Sequence, residues 1–474
     1  MVMGEFSRET DVAIVGGGPG GYAAAFRAAD LGLNVTLIDE GGQLGGVCLF
    51  RGCIPSKALL HVTELISAAR HSSRMGIKFA EPEIDLEALQ KWKNGTVEKL
   101  AGGLANLCEN RGIELLQARA AFENSQMLRL YESKSDISHI KFRHAIIATG
   151  STAISLPGTE FKKNGRLMNS TIALELADIP EKLLVVGGGY VGVELGSVYA
   201  ILGSRVTLVE MTDRLMAGAD RDLVKPLQKV LKDLFESIHL NTKVEKLEEQ
   251  QDRVKVMLSG ERQDTGQSFD RVLVAVGRQP NSGNLGLENT KVEVDNRGYI
   301  VVDEHQRTGD KNIYAIGDVV GGVMLAHKAM YEGRVAAEVI KKQPAAFDAR
   351  AIPAVVYTNP QLAWCGLTET EAEKQNRPVK ISRFPWSASG RAATMGIGTG
   401  LTKMIIDPEN GQILGLGIVG REAGEMISEG VLAIEMGALA QDVALSIHPH
   451  PTLSESEEEA AEAFLGSATH ILAK

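Results

Sequence analysis

The sequence predicts an α/β protein in which two Rossmann-like dinucleotide-binding domains are followed by a C-terminal α+β domain. Its 474 residues are too many for one hydrophobic core and suggest about three domains of ordinary size. One glycine-rich segment occurs twice, with an offset of 171 residues. With 44% hydrophobic and 23% charged residues, the composition is that of an ordinary globular protein.

The repeat pairs residues 12–39, VAIVGGGPGGYAAAFRAADLGLNVTLID, with residues 183–210, LLVVGGGYVGVELGSVYAILGSRVTLVE, and needs no gap. Each copy reads as an apolar strand, a glycine-rich turn, a helix of small residues and a second apolar strand. The G-x-G-x-x-G glycines are Gly16, Gly18 and Gly21 in the first copy and Gly187, Gly189 and Gly192 in the second. They provide a tight turn, access for a pyrophosphate and close packing of helix against strand. We therefore predict two dinucleotide sites.

Each copy ends in a carboxylate, Asp39 or Glu210, 18 positions after the third glycine. That spacing is close to the roughly 20 residues expected for an acid that accepts hydrogen bonds from a ribose. A single glycine motif could be a turn that binds nothing, but two copies with correctly spaced acids disfavour that alternative. Because the Glu210 carboxylate would repel a 2′-phosphate, we predict NAD rather than NADP at the second site.

Two further apolar strands, AIIATG at 145–150 and LVAVGR at 273–278, each follow one copy of the repeat and include Gly150 or Gly277. They resemble the chain crossings that leave a nucleotide-binding domain. We therefore predict domains at 1–150 and 151–278, a central segment at 279–347 that returns to the first domain, and a C-terminal domain at 348–474.

The charge balance argues against several kinds of partner. A formal net charge of −10 would repel a polyphosphate backbone, so we expect no nucleic acid. No segment reaches the roughly 18 apolar residues that a membrane span requires, and the amino end lacks a basic region followed by an apolar stretch. We therefore expect a cytoplasmic chain with no membrane partner.

Two of the four cysteines, Cys48 and Cys53, stand five positions apart in GGVCLFRGCIPSK. A regular helix would separate their Cα atoms by about 8–9 Å, beyond the roughly 7 Å limit for a disulfide. Gly52 allows the helix to break between them, so a small exchangeable disulfide is possible. The alternatives are two buried apolar cysteines or a metal site. Because Cys108 and Cys365 stand alone, no ligand set is complete and we predict no metal.

The segment GGVCLFRGCIPSK closely resembles the active-site signature of the flavoprotein disulfide reductases, the class I pyridine nucleotide-disulfide oxidoreductases. A second segment, HPHPTLSE, resembles another signature of that family, and TGDKNIYAIGDVVGG resembles the turn that closes around FAD. The likeness extends over nearly the whole chain. It implies FAD at the first repeat and NAD at the second. The further cofactor-binding residues that it implies are Lys57, Thr149, Gly150, Glu194, Gly277, Asp318 and Ala326.

The resemblance also implies a role for each cysteine. Cys48 would exchange with the substrate dithiol, while Cys53 would lie against the flavin and form a charge-transfer complex with it. Lys57 would lie near the flavin with Glu194 as its acidic partner. Phe50 and Arg51 stand where the family usually has Asn-Val; we expect Arg51 to face outward, because a buried unpaired charge is costly.

The same resemblance implies that His450 is the acid/base and that Glu455 orients it. Thiol exchange needs such a group, since one thiol must lose a proton and a leaving thiolate must gain one. We interpret His448 as structural, Pro449 as a replacement for the family's usual alanine, and the acidic run ESEEEAAEAF as a solvated helix face.

The resemblance therefore implies an enzyme that oxidises protein-bound dihydrolipoamide through Cys48, Cys53 and FAD with transfer to NAD. The expected partners are a second copy, in a homodimer with shared active sites, and the lipoyl domains of 2-oxoacid dehydrogenase complexes or the glycine cleavage system. The alternatives are a glutathione-type or mercuric reductase, and a docking subunit whose chemistry has decayed. The first two are disfavoured because Glu210 replaces basic residues and no cysteine follows Cys365.

Overall fold

A computed structural model of the chain describes residues 6–261 and 264–472. The residues at the extreme amino end, 1–5, on which part of the localisation prediction depends, lie outside this range. The strands are β1 (Phe6–Val15), β2 (Val35–Asp39), β3 (Glu114–Gln117), β4 (Arg119–Asn124), β5 (Met127–Tyr131), β6 (Ile137–Ile147), β7 (Ser151–Ala153), β8 (Leu167–Met168), β9 (Lys182–Val186), β10 (Arg205–Val209), β11 (Ser237–His239), β12 (Thr242–Glu249), β13 (Val254–Gly260), β14 (Asp264–Phe269), β15 (Arg271–Val274), β16 (Arg278–Pro280), β17 (Ile313–Ala315), β18 (Ala354–Val356), β19 (Gln361–Gly366), β20 (Lys380–Pro385), β21 (Leu401–Ile406) and β22 (Ile413–Gly420). The helices are α1 (Pro19–Asp30), α2 (Gly46–Arg51), α3 (Cys53–His71), α4 (Leu86–Asn110), α5 (Ser170–Glu175), α6 (Tyr190–Leu202), α7 (Arg221–Leu234), α8 (Ala326–Ile340), α9 (Glu369–Lys374), α10 (Gly390–Thr394), α11 (Ala423–Met436), α12 (Ala440–Ala444) and α13 (Glu455–Leu465).

The chain forms two compact units. The first comprises the described parts of 1–58, 85–154 and 277–348, and the second comprises those of 59–84, 155–276 and 349–474. The predicted division into four domains at residues 150, 278 and 347 groups the chain differently and stays a prediction.

The first unit is built on a sheet in which β3, β2, β1, β6 and β17 are neighbours in that order and run parallel. The hairpin β4–β5 extends it antiparallel along the first half of β6. Along β1, Val12 and Ile14 belong to one apolar core and Ala13 and Val15 to another. A strand buried on both faces is expected in a parallel sheet covered on each side.

The second unit contains a parallel sheet in the order β11, β10, β9, β15 and β8. A three-stranded antiparallel sheet, β12 to β14, and a five-stranded antiparallel sheet in the order β18, β19, β22, β21 and β20 complete it. The last sheet packs against α11 and α13 around a core that includes the fully buried Trp386. Among the described residues, no helix combines the length and the apolar character needed to cross a bilayer.

The burial of helix α13 differs from what its acidic sequence predicts. The acidic run forms a helix as predicted, but the prediction of a solvated face is wrong, because Glu457 and Glu459 are buried. The helix lies on β20 and β21, where the Ser382 hydroxyl donates to the Ala460 carbonyl at 2.6 Å. Tertiary packing therefore decides which face of this acidic helix is covered.

Candidate active site

The first dinucleotide turn joins β1 to α1, and each of its three glycines has a distinct steric role. Gly16 has φ +109°, and a Cβ there would lie 2.3 Å from the Ala148 carbonyl oxygen. A Cβ on Gly21 would lie 1.8 Å from the Gly16 carbonyl oxygen, so the helix packs tightly on the turn. A Cβ on Gly18 would meet nothing within 4 Å. The middle glycine is thus where a diphosphate has access to the backbone.

The second turn, between β9 and α6, repeats this geometry. Gly187 has φ +111°, and its Cβ would lie 2.4 Å from the Ala275 carbonyl oxygen. A Cβ on Gly192 would lie 2.1 Å from the Gly187 carbonyl oxygen, and one on Gly189 would meet nothing within 4 Å. Both turns therefore fit a dinucleotide, and both open onto a helix long enough to present free backbone amides.

The two predicted acids occupy equivalent places. The Gly17 amide donates to Asp39 Oδ2 at 2.8 Å, and the Gly188 amide donates to Glu210 Oε2 at 2.6 Å. Their second oxygens accept from the Gly41 amide and from the Thr212 amide and hydroxyl, respectively. Each carboxylate is therefore held rigidly at the end of its second strand, beside its own glycine turn.

The turn Gly317–Val320 carries Asp318, which the sequence predicts to bind FAD. The Ser151 hydroxyl donates to Asp318, and Arg278 donates to the same hydroxyl at 2.7 Å. Close by, Thr149 donates from Oγ1 to the Asn281 carbonyl at 2.7 Å. The strand end at 149–151 and the Asp318 turn are therefore joined within the first unit.

Sequence reasoning missed two residues that support this turn. Glu332 is buried, accepts from the Gly317 amide at 2.7 Å and contacts Lys328 Nζ at 2.5 Å. Burial raises the pKa of the Glu332 carboxyl despite the opposing effect of Lys328. Both residues lie on α8, which begins at the predicted cofactor residue Ala326. Their i,i+4 spacing on one helix is the signal that could have identified them.

The cysteine pair lies where the helix is interrupted, as predicted. Cys48 belongs to α2, Cys53 is the first residue of α3, and Gly52 separates the two helices. The Gly45 amide donates to the Gly17 carbonyl at 2.8 Å, so the segment starts beside the first dinucleotide turn. Arg51 is exposed, which confirms its expected outward orientation.

Both cysteines are half-buried free thiols. A hydrogen bond with Cys53 raises the pKa of Cys48, burial raises it further, and Lys57 opposes the shift. Cys48 and Cys53 are thus hydrogen-bond partners within the first unit, and their role as an exchanging pair stays a prediction. Lys57 belongs to the first unit. Glu194 is buried in the second, where its Oε1 accepts from the Tyr357 amide at 2.8 Å, and its pairing with Lys57 stays a prediction.

His450 and Glu455 meet in the second unit. His450 Nδ1 lies 2.7 Å from Glu455 Oε1, while the Thr452 amide donates to Glu455 Oε2 at 2.6 Å. Burial alone would raise the pKa of Glu455, but these two hydrogen bonds outweigh it and hold the pKa below its usual value. The imidazole side chain is 71% exposed, and its Nε2 has no hydrogen-bond partner in the described part of the chain. This arrangement is suited to a base that an ionised carboxylate orients.

Comparison with known proteins agrees with this geometry. The family model "Pyridine nucleotide-disulphide oxidoreductase" matches residues 10–333, and the dimerisation domain of that family matches residues 352–461. The curated dihydrolipoyl dehydrogenase of Haemophilus influenzae is 45% identical over 463 residues, covering 98% of this chain and 96% of that protein. That of Geobacillus stearothermophilus is 44% identical over 474 residues and covers 100% of both chains.

Two solved structures are also similar. The HOCl-induced flavoprotein disulfide reductase RclA from Escherichia coli is 28% identical with a TM-score of 0.84, over 95% of this chain and 99% of that one. LpdA from Mycobacterium tuberculosis shares the fold with a TM-score of 0.89 at 24% identity, over 96% of this chain and 99% of that chain. The predicted fold class is confirmed: two nucleotide-binding folds and a C-terminal dimerisation domain.

Proposed function

The chain belongs to the pyridine nucleotide-disulphide oxidoreductase family, and from this premise we infer that it oxidises dihydrolipoamide to lipoamide, with FAD as its cofactor and NAD as the electron acceptor. One observation carries the inference: identity of 42–45% to dihydrolipoyl dehydrogenases extends over nearly the full length. Both Cys48 and Cys53 lie within this matched range. Cys48 is in hydrogen-bonding contact with Cys53, and such contact is required of the two members of a redox-active pair.

The thiol chemistry follows from the assigned roles of the two cysteines. A thiolate of the substrate attacks the Cys48 sulfur of the Cys48–Cys53 disulfide, forms a mixed disulfide and expels Cys53 as a thiolate. The second substrate thiol, after losing its proton to His450, attacks the mixed disulfide. This attack releases lipoamide and expels Cys48 as a thiolate. The Cys48 thiolate then takes up the proton that His450 accepted from the substrate. One dithiol is oxidised and one disulfide is reduced, so atoms and electrons balance.

His450 handles the proton because its Nδ1 is already occupied by Glu455. An ionised carboxylate at this nitrogen fixes the tautomer that leaves Nε2 able to accept a proton, and it stabilises the imidazolium that forms. Thr452 holds the carboxylate from the other side. Glu455 is therefore the orienting group and His450 the base.

The residues of the first turn are those that would hold FAD. Gly16, Gly18 and Gly21 leave access to the diphosphate, Asp39 stands at the ribose position, and the Asp318 turn lies in the same unit. FAD, when bound, relays two electrons from the reduced cysteines to NAD. The second turn, with Gly187, Gly189, Gly192 and Glu210, binds NAD, and the fixed carboxylate of Glu210 disfavours a 2′-phosphate.

The partners of this enzyme are a second copy of the chain and lipoyl-bearing domains. The dimerisation-domain match supports the first. An apolar surface defined by Leu432, Met436, Leu439, Leu445 and Ile447 is exposed on and after α11 in the second unit, and a second copy would cover it. The lipoyl domains belong to 2-oxoacid dehydrogenase complexes or to the glycine cleavage system.

Steady-state kinetics of the FAD-loaded protein test the proposed function. We expect free dihydrolipoamide to reduce NAD with a kcat/KM at least about a hundredfold above that with NADP, which corresponds to roughly 2.7 kcal/mol of discrimination. A matched Cys48→Ser variant should bind FAD but show no turnover. Preferential reduction of oxidised glutathione by NADPH would instead assign the chain to a glutathione-type reductase.

A further inference from the structure

The segment between α12 and α13 carries His450, and a second histidine two residues earlier is fixed far more firmly. The His448 side chain is only 7% exposed. Its Nε2 lies 2.8 Å from Glu429 Oε1 on α11, and its Nδ1 lies 2.8 Å from the Ser446 carbonyl oxygen. The loop is therefore tied to α11 through one imidazole.

The contacts of His448 define its charge. Both ring nitrogens face oxygen atoms that accept hydrogen bonds, one of a carboxylate and one of a backbone carbonyl. A neutral imidazole has one N–H and could satisfy only one of them, whereas an imidazolium satisfies both. Consistently, the hydrogen bond to Glu429 raises the pKa of His448 to about 9, although burial opposes the shift.

Other ionisable groups surround this imidazole. Glu458 Oε2 on α13 lies 3.5 Å from His448 Nδ1. On the same helix Glu457 is 1% exposed, and its Oε1 has no hydrogen-bond partner in the described part of the chain. Burial first, and Glu429 second, raise the pKa of Glu457 well above its usual value. The ionisable groups that face His448 or its partners are Glu429 on α11, Glu455, Glu457, Glu458, Glu459 and Glu462 on α13, His450 in the loop and Cys365 on β19.

We propose that His448, as a buried imidazolium clamped to Glu429, is a positioning residue that holds the His450 loop and sets the electrostatic field in which His450 exchanges its proton. This inference rests on the proposed function, since it assigns a supporting role to a residue that acts through the catalytic base. His448 itself touches neither substrate nor reacting sulfur.

Two charge changes test the proposal in the FAD-loaded enzyme. His448→Gln removes a positive charge near His450 and so favours protonation of His450, whereas Glu429→Gln removes the carboxylate that keeps His448 charged, so a negative and a positive charge are lost together. The acidic limb of the pH profile of kcat/KM should therefore move to higher pH in the first variant and stay close to its original position in the second. Each variant should lower kcat by about tenfold, well short of the roughly 10²–10⁴-fold loss expected for His450→Gln.

His305→Gln is the matched control. His305 Nδ1 lies 2.7 Å from the Ala345 carbonyl oxygen and its Nε2 lies 3.8 Å from Glu304 Oε1, so this change also removes an imidazole held between a carbonyl and a carboxylate, but in the first unit. Its kcat and pH profile should stay close to those of the unmodified enzyme. FAD content and the thermal midpoint of each variant report whether it is folded.

A readout that does not require turnover separates this inference from the proposed function. In protein labelled with ¹³C at histidine Cε1, NMR follows the titration of each imidazole, and His450→Gln identifies the His450 signal. A displacement of that titration to higher pH in His448→Gln, larger than any change in Glu429→Gln, supports the proposal even if dihydrolipoamide is not the substrate. A displacement to lower pH in His448→Gln, or none, overturns it while leaving the dehydrogenase activity intact.

Discussion

Lys403 Nζ lies 2.9 Å from Asp220 Oδ2, although the lysine side chain is entirely inaccessible to solvent. The same ammonium contacts Asp222 at 2.9 Å and Glu369 at 2.5 Å. The three carboxylates lie close enough together to suggest a metal centre, but the ammonium already occupies the space between them. Lys403 on β21 thus joins the start of α7 to the start of α9 within the second unit.

We predict that Lys403→Met destabilises the protein by about 3–5 kcal/mol, because it leaves buried Asp220 without its cation. The hydrogen bonds and charge of Lys403 help to hold the pKa of Asp220 below its usual value in spite of burial. Urea unfolding at neutral pH measures the change. Lys374→Met, at an exposed position at the end of α9, should cost less than about 0.5 kcal/mol. Equal losses in both variants would mean that the buried network contributes no special stability.

The buried carboxyl of Glu457 leads to a prediction about how the stability of the protein depends on pH. Its pKa in the folded protein is raised well above 4.5, so the folded chain keeps a proton that the unfolded chain loses. Stability from this group is therefore fully present below about pH 4.5 and declines as the pH rises towards the folded pKa. Glu457→Gln cannot titrate, so its thermal midpoint relative to the unmodified protein should be similar at pH 4 and clearly higher at pH 8.

The control for this prediction is Glu409→Gln, at an exposed position in the turn between β21 and β22. It should show no such divergence between pH 4 and pH 8. If the midpoint of the Glu457 variant instead changes with pH in parallel with that of the unmodified protein, the pKa of this carboxyl is the same in the folded and unfolded states.

The sequence predicts the nucleotide turns in detail because their chemistry is local. Gly16 and Gly187 need a backbone conformation and a close approach that only glycine permits, and Asp39 and Glu210 follow at a fixed distance along the chain. The break at Gly52 was predictable for the same reason, since two cysteines five apart cannot meet on one regular helix.

What the sequence did not predict depends on tertiary packing. Glu457 and Glu459 belong to an acidic run that is typical of a solvated helix, yet both are buried in the folded protein. Lys403 has no pattern around it that indicates three carboxylate partners from distant segments. The positions of Arg278 and Ser151 beside Asp318 likewise depend on segments far apart in the chain.

The assigned roles of the two cysteines predict different spectra for their serine variants. Cys53 is assigned to the flavin side, so Cys48→Ser should leave a thiolate that produces the long-wavelength absorbance band, whereas Cys53→Ser should abolish it. Both variants should lose turnover with dihydrolipoamide, because each lacks the disulfide. Absorbance spectra across a pH titration of the FAD-loaded variants measure this, and the reverse pattern would exchange the two roles.

The fixed carboxylate of Glu210 leads to a prediction about the preference for NAD over NADP. Its carboxylate is fixed by the Gly188 amide and by Thr212, so it cannot easily turn away from a 2′-phosphate. Glu210→Gln, which keeps an acceptor for Gly188 but loses the charge, should weaken the preference for NAD. Glu210→Arg should shift it further towards NADP. The ratio of kcat/KM for the two nucleotides is the measurement, and an unmodified enzyme that already favours NADP would refute the assignment.

The last prediction is that each active site is shared between two chains. The His450 imidazole is anchored at Nδ1 and largely exposed, as expected for a base whose substrate comes from outside its own unit. It lies in the match to the dimerisation domain, whereas Cys48 lies in the match to the nucleotide-binding part. In a symmetric dimer, His450 of one chain would then serve Cys48 of the other, giving two composite sites.

Co-expression of differently tagged Cys48→Ser and His450→Gln chains tests this arrangement, since each is nearly inactive as a homodimer. In a mixed dimer one site inherits both defects, while the other combines the intact Cys48 of one chain with the intact His450 of its partner. Random pairing makes about half of the dimers mixed, so about a quarter of the unmodified activity should return, and about half in purified mixed dimers. If purified mixed dimers stay as inactive as their parents, His450 serves the cysteines of its own chain or is not the base.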